Sequence, residues 1–419
     1  MQIALPTAFR KALFLSVSLS ITASYAAFVT RDLVASYFSQ QPDSSSLRQA
    51  ILLEPARAEF QYRLGHAYSH SEPETALQFY KSAAALNPHR AVYWLDLASA
   101  YLLVGDAAGQ ATALHRALAD DPKSPAVAWD AANQSWASGD IATALQEFRV
   151  VLENDPYLPP QALERCWQIR PDADALLRDV IPRRTEIYSE FLAFLVSRKE
   201  SSAAARVWNE MAQLHQSVER RYVFDYVGYL LDQRDTDQAR EVWEQAASLS
   251  DLSAYQPSSQ NFVVNSEFAL PLLNAGFDWR YERKPDVTLA LDPNQPHSGH
   301  NSLSIALDSQ GLDDLGIRQL IPIAPNTRYA FSAFFKADDV QGAGGPQFVI
   351  QDEFQGNTYF ASEDLKDADA WKQVLGSFTT TRDARLLSLR LLRVPARHAI
   401  RGKLWIDNLR LIPQTEDAH

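Results

Sequence analysis

The sequence predicts a multidomain chain: an all-α repeat array followed by an all-β sandwich, with an N-terminal membrane helix ahead of both. Three observations carry this reading. Pro55, Pro88, Pro122 and Pro156 lie 33, 34 and 34 residues apart, each closing a helix-like run. Only 5 of the 15 glycines precede residue 257; the other 10 fall in the last 162 residues, among alternating apolar runs. Residues 12–29 carry no charge, and Arg10 and Lys11 stand just before them.

The uncharged run is 18 residues long, a helix of about 27 Å against the roughly 30 Å of a hydrocarbon core. Apolar character resumes in 33–38, which favours an uncleaved anchor over residues 1–38, whereas Ser24-Tyr25-Ala26 offers the rival reading of a cleaved signal segment. The basic flank puts the amino terminus in the cytoplasm and the bulk outside it. The composition is that of a folded chain, 46% apolar and 21% charged. A net charge of −12 with no basic stripe excludes nucleic acid as a partner. A single cysteine, Cys166, excludes a disulfide framework and a Cys-rich metal site.

Residues 39–57 are expected to hold one helix, the second half of a truncated first repeat. From residue 91, Trp94, Leu97, Ala98, Tyr101, Leu114, Ala117 and Pro122 recur in an order matched by Leu64, Gly65, Tyr68, Ala76, Tyr80, Ala83 and Pro88 in the repeat before, and by Ala144, Phe148 and Pro156 in the one after. This pattern resembles the tetratricopeptide repeat, a helical hairpin that buries its apolar face only by stacking on its neighbours. Gln110 departs from it, standing where the second-helix Ala is usual. The resemblance implies a superhelix over 39–257, irregular at 157–185 where Pro159, Pro160, Pro171 and Pro182 crowd. It also implies a concave protein-binding groove lined by Tyr62, His66, Trp129, Asn133 and Trp136. The fifth-place residues Tyr62, Leu95 and Trp129 are not the lysines that clamp a terminal carboxylate.

Eight short runs with period-two stretches follow, from 287–291 to 403–411, and read as an antiparallel sandwich. Asn274-Ala-Gly-Phe-Asp-Trp279, Ser298-Gly-His-Asn-Ser-Leu303, Pro325-Asn-Thr-Arg-Tyr329 and Trp405-Ile-Asp-Asn-Leu409 resemble the punctuation of the jelly-roll carbohydrate-binding modules of families 4 and 9. The resemblance implies a β-sandwich over 258–413, with 414–419 as a tail. It implies glycan stacking on loop-proximal aromatics, with Trp279, Tyr281, Tyr359 and Trp371 as candidates. It implies a structural calcium at Asp278 and Asp407, oxygen donors that suit a hard ion, although Asp278 stands where the family has Glu. Trp405 is expected in the core. Arg393, Arg397, His398, Arg401 and Lys403 form a basic edge on the last loop.

No catalytic motif is present, and no cofactor is required. His66 and His70 are four apart but lack the Glu of a zinc hydrolase. The sequence therefore predicts a non-enzymatic scaffold of a bacterial cell envelope, anchored in the inner membrane. Its repeats hold protein partners, its sandwich touches polysaccharide, and its work belongs to polysaccharide assembly or export. A secreted glycan-active enzyme and a purely structural envelope protein are the rival classes. A catalytic acidic cleft favours the first, and a sandwich lacking an aromatic or polar binding face favours the second.

Overall fold

A computed structural model describes residues 7–41, 43–394 and 398–414; the tail beyond Gln414, and Arg397, lie outside them. The chain divides into two compact units, Met1–Pro182 and Arg183–His419. The first contains α1 (Ala8–Ser39), α2 (Ser44–Leu53), α3 (Ala58–Tyr68), α4 (Pro73–Leu86), α5 (Ala91–Leu103), α6 (Ala107–Asp120), α7 (Pro125–Ala137), α8 (Ile141–Asn154), α9 (Pro159–Ile169) and α10 (Ala173–Asp179).

No Gly or Pro interrupts residues 8–39, and α1 runs unbroken for 32 residues, about 48 Å. By length and composition it is able to cross a membrane, with a mean hydropathy of 1.8 over its best window. The helix continues past the apolar run into the fold. Ala35 is buried in a cluster with Ala50 and Phe60. Arg31 pairs with Glu54 at 3.1 Å, Asp32 pairs with Arg57, and Arg63 Nη1 donates to the Ser39 carbonyl at 2.7 Å. The helix at 44–53 is thus not a half-repeat without a partner: the last turns of α1 supply its first helix.

The hairpins α3–α4, α5–α6 and α7–α8 carry the repeat. Asp106 and Asp140, 34 residues apart, cap α6 and α8 by accepting Gly109 N at 2.9 Å and Thr143 N at 3.2 Å; each such cap contributes about 1 kcal/mol. Gly65 shows why a small residue recurs in the first helix: a Cβ there would lie 2.7 Å from the Tyr80 ring. Ala98 and Ala132 take the equivalent places in α5 and α7, both fully buried. Gln110 is buried and donates its amide to Gln134 O at 3.4 Å, which satisfies a polar group the apolar pattern did not call for.

The second unit contains α11 (Thr185–Ser197), α12 (Ser201–Gln213), α13 (Arg220–Asp232) and α14 (Thr236–Leu249). Among the described residues ten strands follow: β1 (Arg280–Tyr281), β2 (Val287–Asp292), β3 (Ser302–Ser309), β4 (Asp314–Pro322), β5 (Arg328–Gly342), β6 (Gly345–Asp352), β7 (Thr358–Ala361), β8 (Lys372–Thr379), β9 (Leu386–Val394) and β10 (Ile400–Pro413). They form two five-stranded antiparallel sheets, β1-β4-β9-β6-β7 and β2-β3-β10-β5-β8. The eight expected runs are all strands. The two others, β1 and β7, are edge strands of two and four residues, too short to show a period. Leu303, Ile305, Ile317, Phe331, Phe348, Leu389, Leu404 and Ile406 form the core between the sheets.

The alternation sends Leu320, Leu386 and Ser388 to the outer face of the first sheet, yet all three are buried. Helix α13 lies there. Gly228, Leu231, Asp232 and Arg234 share a cavity with Leu320, Leu386 and Phe354, and the Arg234 guanidinium lies 5.5 Å over the Phe354 ring. From α14, the Trp243 ring meets Phe277 edge-on at 5.8 Å, and its indole N–H donates to Tyr255 O at 3.0 Å.

Candidate functional site

The outer face of the first sheet carries a row of arginines. Register pairs Arg280 of β1 with Arg318 of β4, and Arg318 with Arg390 of β9. Arg280 and Arg318 are the lone cations of their strands, Arg390 shares β9 with Arg393 on the opposite face, and alternation points all three of the row away from the core. Arg318 Nη1 contacts Glu353 Oε1 at 3.1 Å, and Arg390 Nη2 pairs with Asp314. Arg280 has no carboxylate partner among the described residues; its Nε and Nη2 donate to Gly276 O at 3.2 and 2.8 Å. Burial, then the like charge of Arg318, pulls its pKa below the usual guanidinium range. The Nε of Arg390 is buried and has no acceptor among the described residues. These side chains line a cleft of about 510 Å³ together with Asn274, Tyr281, Glu282 and Asp314, within the size range of small-ligand sites. None of the arginines was singled out in the sequence. The available signal was a single Arg at an outward place in each of two apolar strands, but the sequence does not show that these places adjoin.

Of the four aromatics expected to stack on sugar, Tyr281 borders this cleft and is 37% exposed. Trp279 is a correction: it is 2% exposed, packed on Phe268 at 5.3 Å with its N–H directed to Asn265 O, and so offers no ring face to a ligand. Tyr359 is half-buried, stacked on Phe378 at 5.6 Å and bonded through its hydroxyl to Thr381 Oγ1 at 2.9 Å. Trp371 precedes β8 in the second sheet, edge-on to His297 at 5.4 Å. Tyr281 and Trp371 thus belong to different sheets. Trp405 is buried as expected, at 6% exposed, but outside the cluster between the two sheets. It pairs with Lys336 on the outer side of β10, lies under Lys403 and bonds Asp292 Oδ2 at 2.9 Å, so lysine stems cover it rather than the core. Arg393 is no exposed edge either; it is buried and donates to the carbonyls of Ala343, His398 and Ala399.

Asp278 and Asp407 are both fully buried. Asp407 accepts His297 N and Ser298 N at 2.8 Å on one oxygen and Asn408 N at 2.7 Å on the other. These N–H dipoles present positive ends to the carboxylate, where a cation would have to approach. Asp278 Oδ2 accepts Leu273 N at 2.7 Å, its Oδ1 has no partner, and burial raises its pKa to about 6. Among the described residues no three His, Cys, Asp or Glu side chains converge on one point. Both carboxylates are thus held by backbone N–H groups.

In the first unit, Tyr62 donates to Asp96 Oδ2 at 2.7 Å, and His66 Nε2 lies 3.0 Å from the same oxygen. Tyr93 stacks near Tyr62 at 4.6 Å and donates to Glu59 at 3.0 Å. Trp129 meets Phe148 edge-on at 5.6 Å, Asn133 donates to Trp129 O at 2.7 Å, and Trp136 lies 5.3 Å under Arg165. Burial, reinforced by Asp96, holds the Asp130 carboxyl above its usual range. The sequence reading placed Glu59 and the aromatics on this face and missed the acids Asp96 and Asp130. The spacing of 34 residues that separates Tyr62 from Asp96 and Glu59 from Tyr93 was the signal for them.

No family model matches the chain, and no curated protein is similar to it. Among solved structures, the chain is similar over its C-terminal β region to a family 4 carbohydrate-binding module, at 18% identity over 36% of this chain and 99% of that one, TM-score 0.28. It is also similar to the CBM22-1 xylan-binding domain of Paenibacillus barcinonensis Xyn10C, at 16% identity over 35% and 91%, TM-score 0.26. A third similarity is to MamA, at 15% identity over 41% and 85%, TM-score 0.24.

Proposed function

We propose that this protein is a membrane-anchored, extracytoplasmic scaffold of tetratricopeptide type that binds protein segments through its repeats and glycan through its sandwich, in the assembly or export of an envelope polysaccharide. The observation that carries the glycan reading is the cleft at Arg280, Tyr281, Arg318 and Arg390. It joins an exposed aromatic residue to fixed charged donors and acceptors, the combination that orients a sugar ring and its hydroxyls. Sugar hydroxyls must shed water before they pair, so net affinity is modest, and dissociation constants from about 1 mM to tens of micromolar, roughly −4 to −6 kcal/mol, are expected. Calorimetry of the full chain in nanodiscs against neutral and acidic bacterial polysaccharides tests this. Saturable binding weakened by Tyr281→Ala supports the cleft, and silence across the panel from folded protein rejects it.

The groove reading rests on Tyr62, Trp129 and the acids beside them, which suit a segment with aromatic and basic side chains. Photo-crosslinkers placed at positions 62 and 129 in cells are expected to trap a protein outside the cytoplasmic membrane. Adducts with cytoplasmic proteins alone, or no adducts, reject both the groove and the topology.

A further inference from the structure

The arginine row has hydrogen-bonding capacity that its neighbours leave unfilled. Like charges directly opposite each other on neighbouring strands repel, and here three guanidiniums are held side by side by register. Glu353 pairs with Arg318 and Asp314 with Arg390, whereas Arg280 is hydrogen-bonded only to a backbone carbonyl, with the Glu353 and Asp232 carboxylates acting on it from farther away. The Nε of Arg390 is buried and has no acceptor among the described residues, while the rest of its side chain is 31% exposed. Both residues line one cleft. A ligand that pairs with the accessible donors of Arg280 and Arg390 brings at least two acceptor oxygens, and the lining, with Arg280, Arg318 and Arg390 against Glu282 and Asp314, favours a negative charge on it.

We propose that this cleft takes a sugar residue bearing a carboxylate, a uronic acid unit of an acidic polysaccharide, with Arg280 and Arg390 as its anion contacts. The inference rests on the glycan reading above and names the ligand class for that site. A planar carboxylate matches the fork of a guanidinium, and such charge-assisted pairs are short and strong. Asn274 and Glu282 line the same cleft and supply polar groups for the ring hydroxyls. At about 510 Å³ the cleft has room for more than an inorganic anion. The chain's net charge is −12, so the attraction is local to this row.

The test compares each acid with its own neutral form. Trimers of galacturonate, glucuronate and mannuronate, and their methyl esters, are titrated into the full chain in nanodiscs. At least one acid is expected to bind roughly tenfold or more tighter than its ester, the effect of one hydrogen bond to a charged group. Arg280→Gln and Arg390→Gln are expected to close that gap, and Arg280→Lys to restore part of it. Equal binding of acid and ester for every pair overturns the carboxylate and leaves the glycan reading standing. If neutral polysaccharides, acids and esters all fail to bind, both fall. Should Arg280→Gln lose its fold by circular dichroism, the comparison of acid with ester on the unaltered protein still decides.

Discussion

Gly276→Ala is expected to destabilise the second unit by about 3–5 kcal/mol, the sum of backbone strain and overpacking. Gly276 has φ +58°, a left-handed conformation, and a Cβ there would lie 2.0 Å from the Trp243 ring. Neither party has room to yield, because Trp243 is buried between Phe277 and the chain at Tyr255. This contact seats α14 against the turn that leads into β1. Trp243→Ala should cost a similar amount by leaving a cavity. Chemical denaturation of the full chain measures both. A change within about 0.5 kcal/mol, the size of an ordinary surface substitution, for Gly276→Ala would show that the helices do not depend on this seat.

Asp278→Asn should stabilise the protein above pH 7 and lose that advantage near pH 4. Burial holds the Asp278 carboxyl at about 6, against 3.8 for the free group. Its folded pKa is therefore raised, so the folded state holds the proton more tightly than the unfolded one. The favourable contribution is full below about pH 4 and disappears as pH rises through 6; beyond that the buried charge costs about 3 kcal/mol, at 1.36 kcal/mol per unit. An amide keeps an acceptor for Leu273 N and carries no charge. Melting curves of variant and wild type from pH 4 to 8 give the difference directly. A difference that stays constant across that range would mean that Asp278 does not ionise in this window.

The same residue shows where legibility ended. Asn274 to Trp279 was read as a turn motif with an acid for a metal and an aromatic for a sugar, and the sequence located the turn correctly. It gave no sign that Trp279 and Asp278 are both buried and that the next residues, Arg280 and Tyr281, face the cleft. A motif fixes the backbone path, whereas which of its side chains are covered depends on segments far away in the chain. The buried places of the repeat were more legible, because a repeat of constant length assigns each place a face in advance.

By itself the sequence determined the class of each segment. The proline period, the small residues at Gly65 and Ala98, and the alternation in the eight strands are all local signals, governed by helix and strand geometry over a few residues. Only the tertiary structure decided the rest: that α1 continues into the first hairpin, that α13 covers part of a sheet face, and that Arg280, Arg318 and Arg390 stand in one row. Those depend on which strand pairs with which and in what register. Pairings between residues far apart in the chain are set by the packing of the whole unit, and no local period records them.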